Sequence, residues 1–206
     1  MAEYTFYFNP MSRAQIARWA LHEVGADYEP VLVNYGPDKP DGFLAANPMG
    51  KLPTIVHHHG GHDHVVSEAA AVCHYLAAMH PEAGLLPGKH ELADYFRWLF
   101  FAAGPVEQAV TSNAMGWHPT AEQEVAVGFG SFQRTIDTLD GWFQTHDYVC
   151  GNRFTMADVS LGYAIKLALG IGLAEFVTPG MQAYFERISA RDGYARAMAA
   201  QGQTEA

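Results

Sequence analysis

Residues 80 to 90, HPEAGLLPGKH, divide this chain into two stretches with different hydrophobic periods. Two prolines and two glycines in eleven residues continue neither a helix nor a strand ladder, so the segment reads as a linker. Before it, short runs of strand and helix character alternate. After it, strand alternation never returns. The chain therefore has to fold as a mixed α+β part followed by an all-α part.

The first part resolves into elements in order. Tyr4 to Phe8 is short, aromatic and β-prone. Asn9-Pro10 interrupts it, and Ser12 is placed to cap a helix on which Ile16, Trp19, Ala20 and Val24 recur at three- and four-residue steps. Gly25 ends that helix, and Tyr28 to Val33 forms a second strand. Strand, helix, strand in this span makes a βαβ unit, whose right-handed crossover sets the two strands parallel. After a Pro-, Gly- and Asp-rich loop, Phe43 to Ala46 makes a short helix and Leu52 to Val56 a third strand. The turn HHHGGHDH leads to Val65-Val66 in an antiparallel hairpin, and Glu68 to Met79 forms an amphipathic helix. The order is βαβ-ββα. Beyond the linker, helices are expected over Leu92 to Trp117, Ala121 to Phe143, Thr155 to Leu169 and Pro179 to Ser189, with a short one ending the chain.

Composition narrows the function. The 206 residues are 49% apolar and 17% charged, enough for a core and too hydrophobic for intrinsic disorder. Twelve Lys and Arg against 22 acids give a net charge of −10, which opposes general binding to nucleic acid or anionic membranes and leaves room only for a local basic patch. Cys73 and Cys150 are too few for a disulfide framework and form no Cys-x-x-Cys pair. Cys73 falls on an apolar helix stripe; Cys150, in a loop beside Gly151, reads as partly exposed. With no signal peptide visible and no apolar run of 18 residues, a cytoplasmic location is expected.

Three segments stand out, and two of them suit chemistry. In Asn47-Pro-Met-Gly-Lys-Leu-Pro53, the final proline cannot donate to a ladder and marks a cis turn that turns the main chain of Leu52 outward, where an extended peptide can pair with it. Pro53 as a plain loop end is the competing reading. Glu68 opens a helix, beside free N–H groups and the positive end of the dipole. It is either a cap or the place where a ligand carboxylate meets those N–H groups while Glu68 meets an ammonium. Thr155-Met-Ala-Asp158 has capping-box form with Phe154 and Val159 in staple positions, and its role is structural. Five histidines among residues 57 to 64 make a metal conceivable, but no second ligand cluster closes a site; a solvated turn is the reading adopted, with no metal assigned.

Taken in order, NPMGKLP, the hairpin, EAAAVCHYLA, the proline-rich linker and RFTMADVSLGYAI resemble the cytosolic glutathione S-transferase family, of bacterial type, over nearly the whole chain. The resemblance implies a thioredoxin-like glutathione-binding domain over 1–80, a linker over 81–90 and an all-helical domain over 91–206 that contributes the electrophile pocket. It implies glutathione as co-substrate with no other cofactor, a small apolar electrophile, and a homodimer. Leu52 matches the position that pairs with the cysteinyl part of glutathione, Pro53 the cis-proline, and Glu68 the acid at the γ-glutamyl end. Many members carry Ser after that acid; here Ala69 leaves only the backbone N–H, worth a loss of about 1–2 kcal/mol. Lys51 is a candidate for the peptide's carboxylates, and Asn9 and Arg13 stand behind the reacting group. The family's thiol-activating donor follows the first strand, and two hydroxyls compete for it. Tyr7 is the better matched donor by pKa; Ser12, at a helix start, is better placed in the dipole field and narrowly preferred. Phe101, Asn113, Met115 and Trp117 are the candidates for the electrophile pocket. The activity implied is attack of the glutathione thiolate on an apolar electrophile, with a glutathione-dependent isomerase or dehalogenase, or a non-catalytic binding member, as alternatives.

Overall fold

The computed structural model describes residues 2–170, 173 and 176–203. They group into two compact units, Met1–Leu86 together with Ala190–Ala206, and Pro87–Ser189.

The first unit is a four-stranded mixed sheet with helices. β1 (Tyr4–Phe8) is almost wholly buried, as four aromatic residues in five require, with only Thr5 partly exposed. α1 (Ala14–Val24) follows, then β2 (Tyr28–Leu32), parallel to β1 as the crossover rule demands. α2 (Phe43–Ala46) precedes β3 (Thr54–His59), which runs antiparallel to β1 and forms a hairpin with β4 (His62–Ser67) through Gly60-Gly61. α3 (Ala69–Met79) closes the motif. The strand order β2-β1-β3-β4 is the thioredoxin-like arrangement. β3 starts two residues later than the sequence pattern suggests because Pro53 has no N–H for the ladder, and it runs on to His59 because the hairpin register pairs His59 with His62.

The second unit is helical: α4 (Leu92–Phe101), α5 (Glu107–Ala114), α6 (Phe132–Phe143), α7 (Met156–Gly170) and α8 (Pro179–Ser189). Two expected helices are shorter than their periodicity implied. Leu92 to Trp117 is broken by a π-helical segment over Ala102–Val106, where Pro105 lacks the N–H for the regular ladder. In Ala121 to Phe143 only one 3-10 turn, Gln123–Val125, precedes α6. Gly128 and Gly130 are poor helix formers, and Ser131 caps the true start by accepting the Arg134 N–H at 3.2 Å. The acid's half of the TMAD box forms: Asp158, fully buried, accepts from Thr155 N (2.7 Å), Thr155 Oγ1 (3.1 Å), Val149 N (2.9 Å) and Tyr184 Oη (3.1 Å), while its own N–H goes to Thr155 O at 3.0 Å and not to the hydroxyl. Desolvation outweighs these bonds and raises its pKa to about 6.

The last helix, α9 (Asp192–Gln203), groups with the first unit, which a reading of 91–206 as a single domain does not anticipate. Its anchor is a buried acid. Glu23 takes Arg191 Nη2 at 2.8 Å and Trp19 Nε1 at 2.9 Å, while the Trp19 and Tyr194 rings meet edge-on at 4.9 Å. A Cβ at Gly193 would lie 2.5 Å from the Glu23 carboxyl carbon, so only glycine permits this approach.

Candidate active site at the strand ends

The register brings four chain segments to one end of the sheet. β1 and β2 end together at the Phe8–Leu32 pair, and Tyr7 also pairs with Thr54, the first residue of β3. Thr54 in turn pairs with Ser67, the last residue of β4. The segments leaving these positions are Asn9–Arg13, the loop from Val33, the approach Gly50–Pro53, and Glu68. In open sheets the carboxyl ends of parallel strands are where ligands bind.

A cavity of about 320 Å³ lies here, lined by Ser12, Arg13, Tyr35, Lys39, Lys51 and Leu52 among others. Three of the chain's 12 Lys and Arg face it and no acid lines it, which is the local basic patch that a net charge of −10 still permits. The Leu52–Pro53 peptide is cis. Among the described residues, no hydrogen bond uses the main-chain N–H or C=O of Leu52. Ser12 Oγ donates to Asn9 O at 2.8 Å and accepts from Ala14 N at 3.1 Å, so a helix-start amide polarises the hydroxyl even though α1 itself begins two residues later than the expected cap.

The other candidates are placed as follows. Asn9 is buried and donates Nδ2 to Val33 O at 3.0 Å, tying the Ser12 loop to the loop after β2. Tyr7 does not line the cavity. Its ring is buried among Val33, Phe43 and Val56, with its hydroxyl 3.3 Å from where a Cβ at Gly42 would stand. Glu68 and Ala69 stand at the start of α3, one and two positions past the Thr54–Ser67 pair. Glu68 has φ 69°, ψ 121°, and is the one non-glycine residue at positive φ among those described. Such a backbone costs about 1–3 kcal/mol and tends to occur where function requires it. Lys39, Tyr35 and Asn34 were not read from the sequence as lining residues; a loop rich in Pro, Gly and Asp gives no periodic signal that points a side chain.

In the helical unit the four electrophile-pocket candidates separate. Asn113 and Trp117 line one cavity of about 300 Å³ with Phe129, Phe132 and Phe176. Phe101 lines a different one of about 250 Å³ that shares Glu124 and Phe129 with it. Met115, at the end of α5, is exposed and lines neither. Neither cysteine offers a thiolate: burial pushes Cys73 to about 12 and Cys150 to about 11, and Cys150 is buried rather than partly exposed. No group of three His, Cys, Asp or Glu among the described residues is arranged to hold a metal ion, and no helix among them is long and apolar enough to cross a membrane.

Comparison with known proteins agrees with this geometry. Residues 10–79 match the glutathione S-transferase N-terminal domain, and residues 93–192 match the glutathione S-transferase C-terminal domain. The chain belongs to the glutathione S-transferase family. Glutathione S-transferase 1 of Schizosaccharomyces pombe is 29% identical over 175 residues, 78% of this chain and 73% of that protein. The crystal structure of a glutathione transferase from Methylococcus capsulatus superposes with a TM-score of 0.79 at 26% identity, covering 97% of this chain and 99% of its own. A sphingomonad glutathione S-transferase complexed with glutathione shares the fold, with a TM-score of 0.74 at 24% identity over 96% of this chain and 98% of its own. The two family matches leave residues 80–92 between them, which includes the proline-rich linker.

Proposed function

We propose that this chain is a glutathione transferase that holds glutathione at the strand ends of the first unit and lowers the pKa of its thiol for attack on a small apolar electrophile. The observation that carries the reading is one cavity that brings together the Ser12 hydroxyl, the unpaired main chain of Leu52 and the cations Arg13, Lys39 and Lys51. Leu52 pairs with the cysteinyl backbone as an added strand. The cations meet the carboxylates, and Glu68 meets the γ-glutamyl ammonium beside the first N–H groups of α3. Ser12 turns its O–H from Asn9 O to the sulfur, where a charge-assisted hydrogen bond favours the thiolate. Ser12 is preferred to Tyr7 because Ser12 lines the cavity and Tyr7 is packed in a hydrophobic cluster. The sphingomonad relative, solved with glutathione, supports the ligand assignment. Residues 1–80 supply the glutathione site and 91–206 the electrophile pocket, with Asn113 and Trp117 on its wall and Phe101 and Met115 as further candidates. The working protein is a cytoplasmic homodimer.

The test is retention on immobilised glutathione followed by turnover of a model aryl halide. Retention and conjugation are expected. Retention without conjugation favours an isomerase, a dehalogenase or a binding member, and no retention removes glutathione from the account.

A further inference from the structure

The tripeptide Asn-Pro-Met occurs twice in this sequence, at residues 9–11 and 47–49, and the residues that follow the two copies, Ser12 and Arg13 in one case and Gly50 to Leu52 in the other, line the same cavity. The two copies fold alike. Each asparagine is buried, and its Oδ1 accepts the methionine N–H two residues on, at 2.9 Å for Met11 and 3.1 Å for Met49. Each asparagine C=O accepts the N–H three residues on, at 3.0 Å from Ser12 and 2.8 Å from Gly50. This is a β-turn closed twice, by the main chain and by an Asx bond, with proline at the position it favours. Each Nδ2 fastens the turn to a second segment: Asn9 to Val33 O at 3.0 Å, and Asn47 to Lys51 O at 2.9 Å and Thr54 Oγ1 at 3.0 Å. The residue after each turn is a cation that lines the cavity, Arg13 in one case and Lys51 in the other. The turns diverge at the fourth position. Ser12 leads into α1, while Gly50, at φ +61°, turns the chain toward β3.

We propose that Asn9 and Asn47 are paired positioning residues: the first turn aims Ser12 and Arg13, the second aims Lys51 and Leu52, and together they hold both walls of the cavity around one ligand. The inference rests on the glutathione reading above and adds a division of labour to it. The Asn9 turn carries the hydroxyl, and its carbonyl is the acceptor that Ser12 Oγ now uses. Loosening that turn acts on thiol ionisation. The Asn47 turn carries the main chain that an extended peptide pairs with, so loosening it acts on affinity. Neither asparagine touches the ligand.

The experiment compares Asn9→Ala, Asn47→Ala and the milder Asn9→Asp and Asn47→Asp in the full chain, each scaled to the fraction that is folded. The aspartates keep the Asx acceptor and lose the Nδ2 donor, which keeps the test open if an alanine variant folds poorly. Readouts are KM for glutathione, kcat and the pH profile of kcat/KM. The expected result is a split. Asn9 variants displace the pH profile upward by about one unit and lower kcat about tenfold, whereas Asn47 variants act chiefly on KM, raising it about tenfold. If wild type retains glutathione and both sets keep its KM and pH profile, or lose activity only in proportion to folded protein, the pairing is overturned and the glutathione reading stands. If wild type itself fails to retain glutathione, both fall.

Discussion

The cavity at the strand ends of the first unit and the cavities of the helical unit are built in opposite ways. The first is made by turns: its walls include main chain, the hydroxyl residues Ser12 and Tyr35 and three cations, held by two buried asparagines. The others are made by packing, with rings from α6 and from loops as far apart as Trp117 and Phe176 meeting across a helix bundle. The turn-built cavity presents fixed polar groups and suits a ligand of constant structure. The ring-built cavities present area and shape and suit ligands that vary. The two regions also put their buried charge to different use. In the helical unit the buried acid Asp158 lines neither of the cavities described above and holds α7 to its surroundings.

Asp158 is therefore where the helical unit breaks most easily. Asp158→Asn places an amide where two donors converged on an oxygen, and leaves buried N–H groups without acceptors. A cost of about 3 kcal/mol is expected, read by urea unfolding. The effect also depends on pH. The folded pKa of about 6 lies above the ordinary carboxyl value of 3.8, so between them the native state binds the proton more tightly. Stability from this group is full below about pH 4 and is lost as pH rises through 6, a span of about 3 kcal/mol. The difference between wild type and the asparagine variant should thus widen as pH falls from 7 to 4. A constant difference would show that the carboxyl stays ionised.

The next largest effect belongs to the turn-built site. Ser12→Ala removes one hydrogen bond to a charged sulfur, worth about 1.5–3 kcal/mol, and raises the pKa of bound glutathione by roughly 1–2 units. The ultraviolet absorbance of the bound thiolate measures it. Tyr7→Phe leaves that titration in place, since the Tyr7 hydroxyl sits beside Gly42 and off the cavity. The reverse outcome would transfer the role to Tyr7 and break the contrast drawn here.

The same contrast explains what was legible in the sequence. The first unit follows from short-range signals. Gly25 ends α1 with φ 70°, Gly60-Gly61 turns the hairpin, and NPMGKLP makes the loop it spells. Leu52 and Ser12 follow from those signals, Lys51 and Arg13 from the family resemblance, and all four line the cavity. Lys39 and Tyr35 sit in a loop with no period to point them and were not legible. In the helical unit, apolar periodicity showed that helices exist and hid where they break. A π-helical segment at Pro105 and a long loop before Ser131 both keep enough apolar residues to look continuous. Which rings meet across helices is a matter of packing, so Phe101, Asn113, Met115 and Trp117 looked equivalent and are not. Tyr7 illustrates the limit in the first unit. Alternation puts it on a face, but only the packing of Phe43 against it, 5.2 Å between ring centres, shows that this face is covered.

A smaller effect tests whether backbone strain at Glu68 serves the ligand. Glu68→Gly and Glu68→Ala both remove the carboxylate, and only the first relieves φ 69°. The glycine variant is expected to be about 1 kcal/mol more stable than the alanine variant in denaturant unfolding. Both should bind glutathione several-fold more weakly than wild type. Equal stability of the two would mean that the turn relaxes without its side chain, and that the strain is not stored there.

The smallest effect expected is at Lys39, and it sharpens the comparison because it separates charge from fixed geometry. Arg13 and Lys51 each follow a doubly closed turn, whereas Lys39, half-buried, lies in the loop after β2 and is held by a solvent-exposed bond from Nζ to Asn34 O at 2.8 Å. A cation whose ammonium meets solvent on a flexible stem contributes about 0–1 kcal/mol to a pair and is screened by salt. Lys39→Met should therefore raise KM for glutathione only two- to fivefold at low ionic strength, and the difference from wild type should vanish by about 0.5 M salt. Lys51→Met, whose main chain is fixed by Asn47, should cost more and keep part of its effect in salt. If Lys39→Met proves as costly as Lys51→Met and equally resistant to salt, then the loop after β2 is as rigid around the ligand as the two asparagine turns, and the division between fixed and mobile walls of this cavity is wrong.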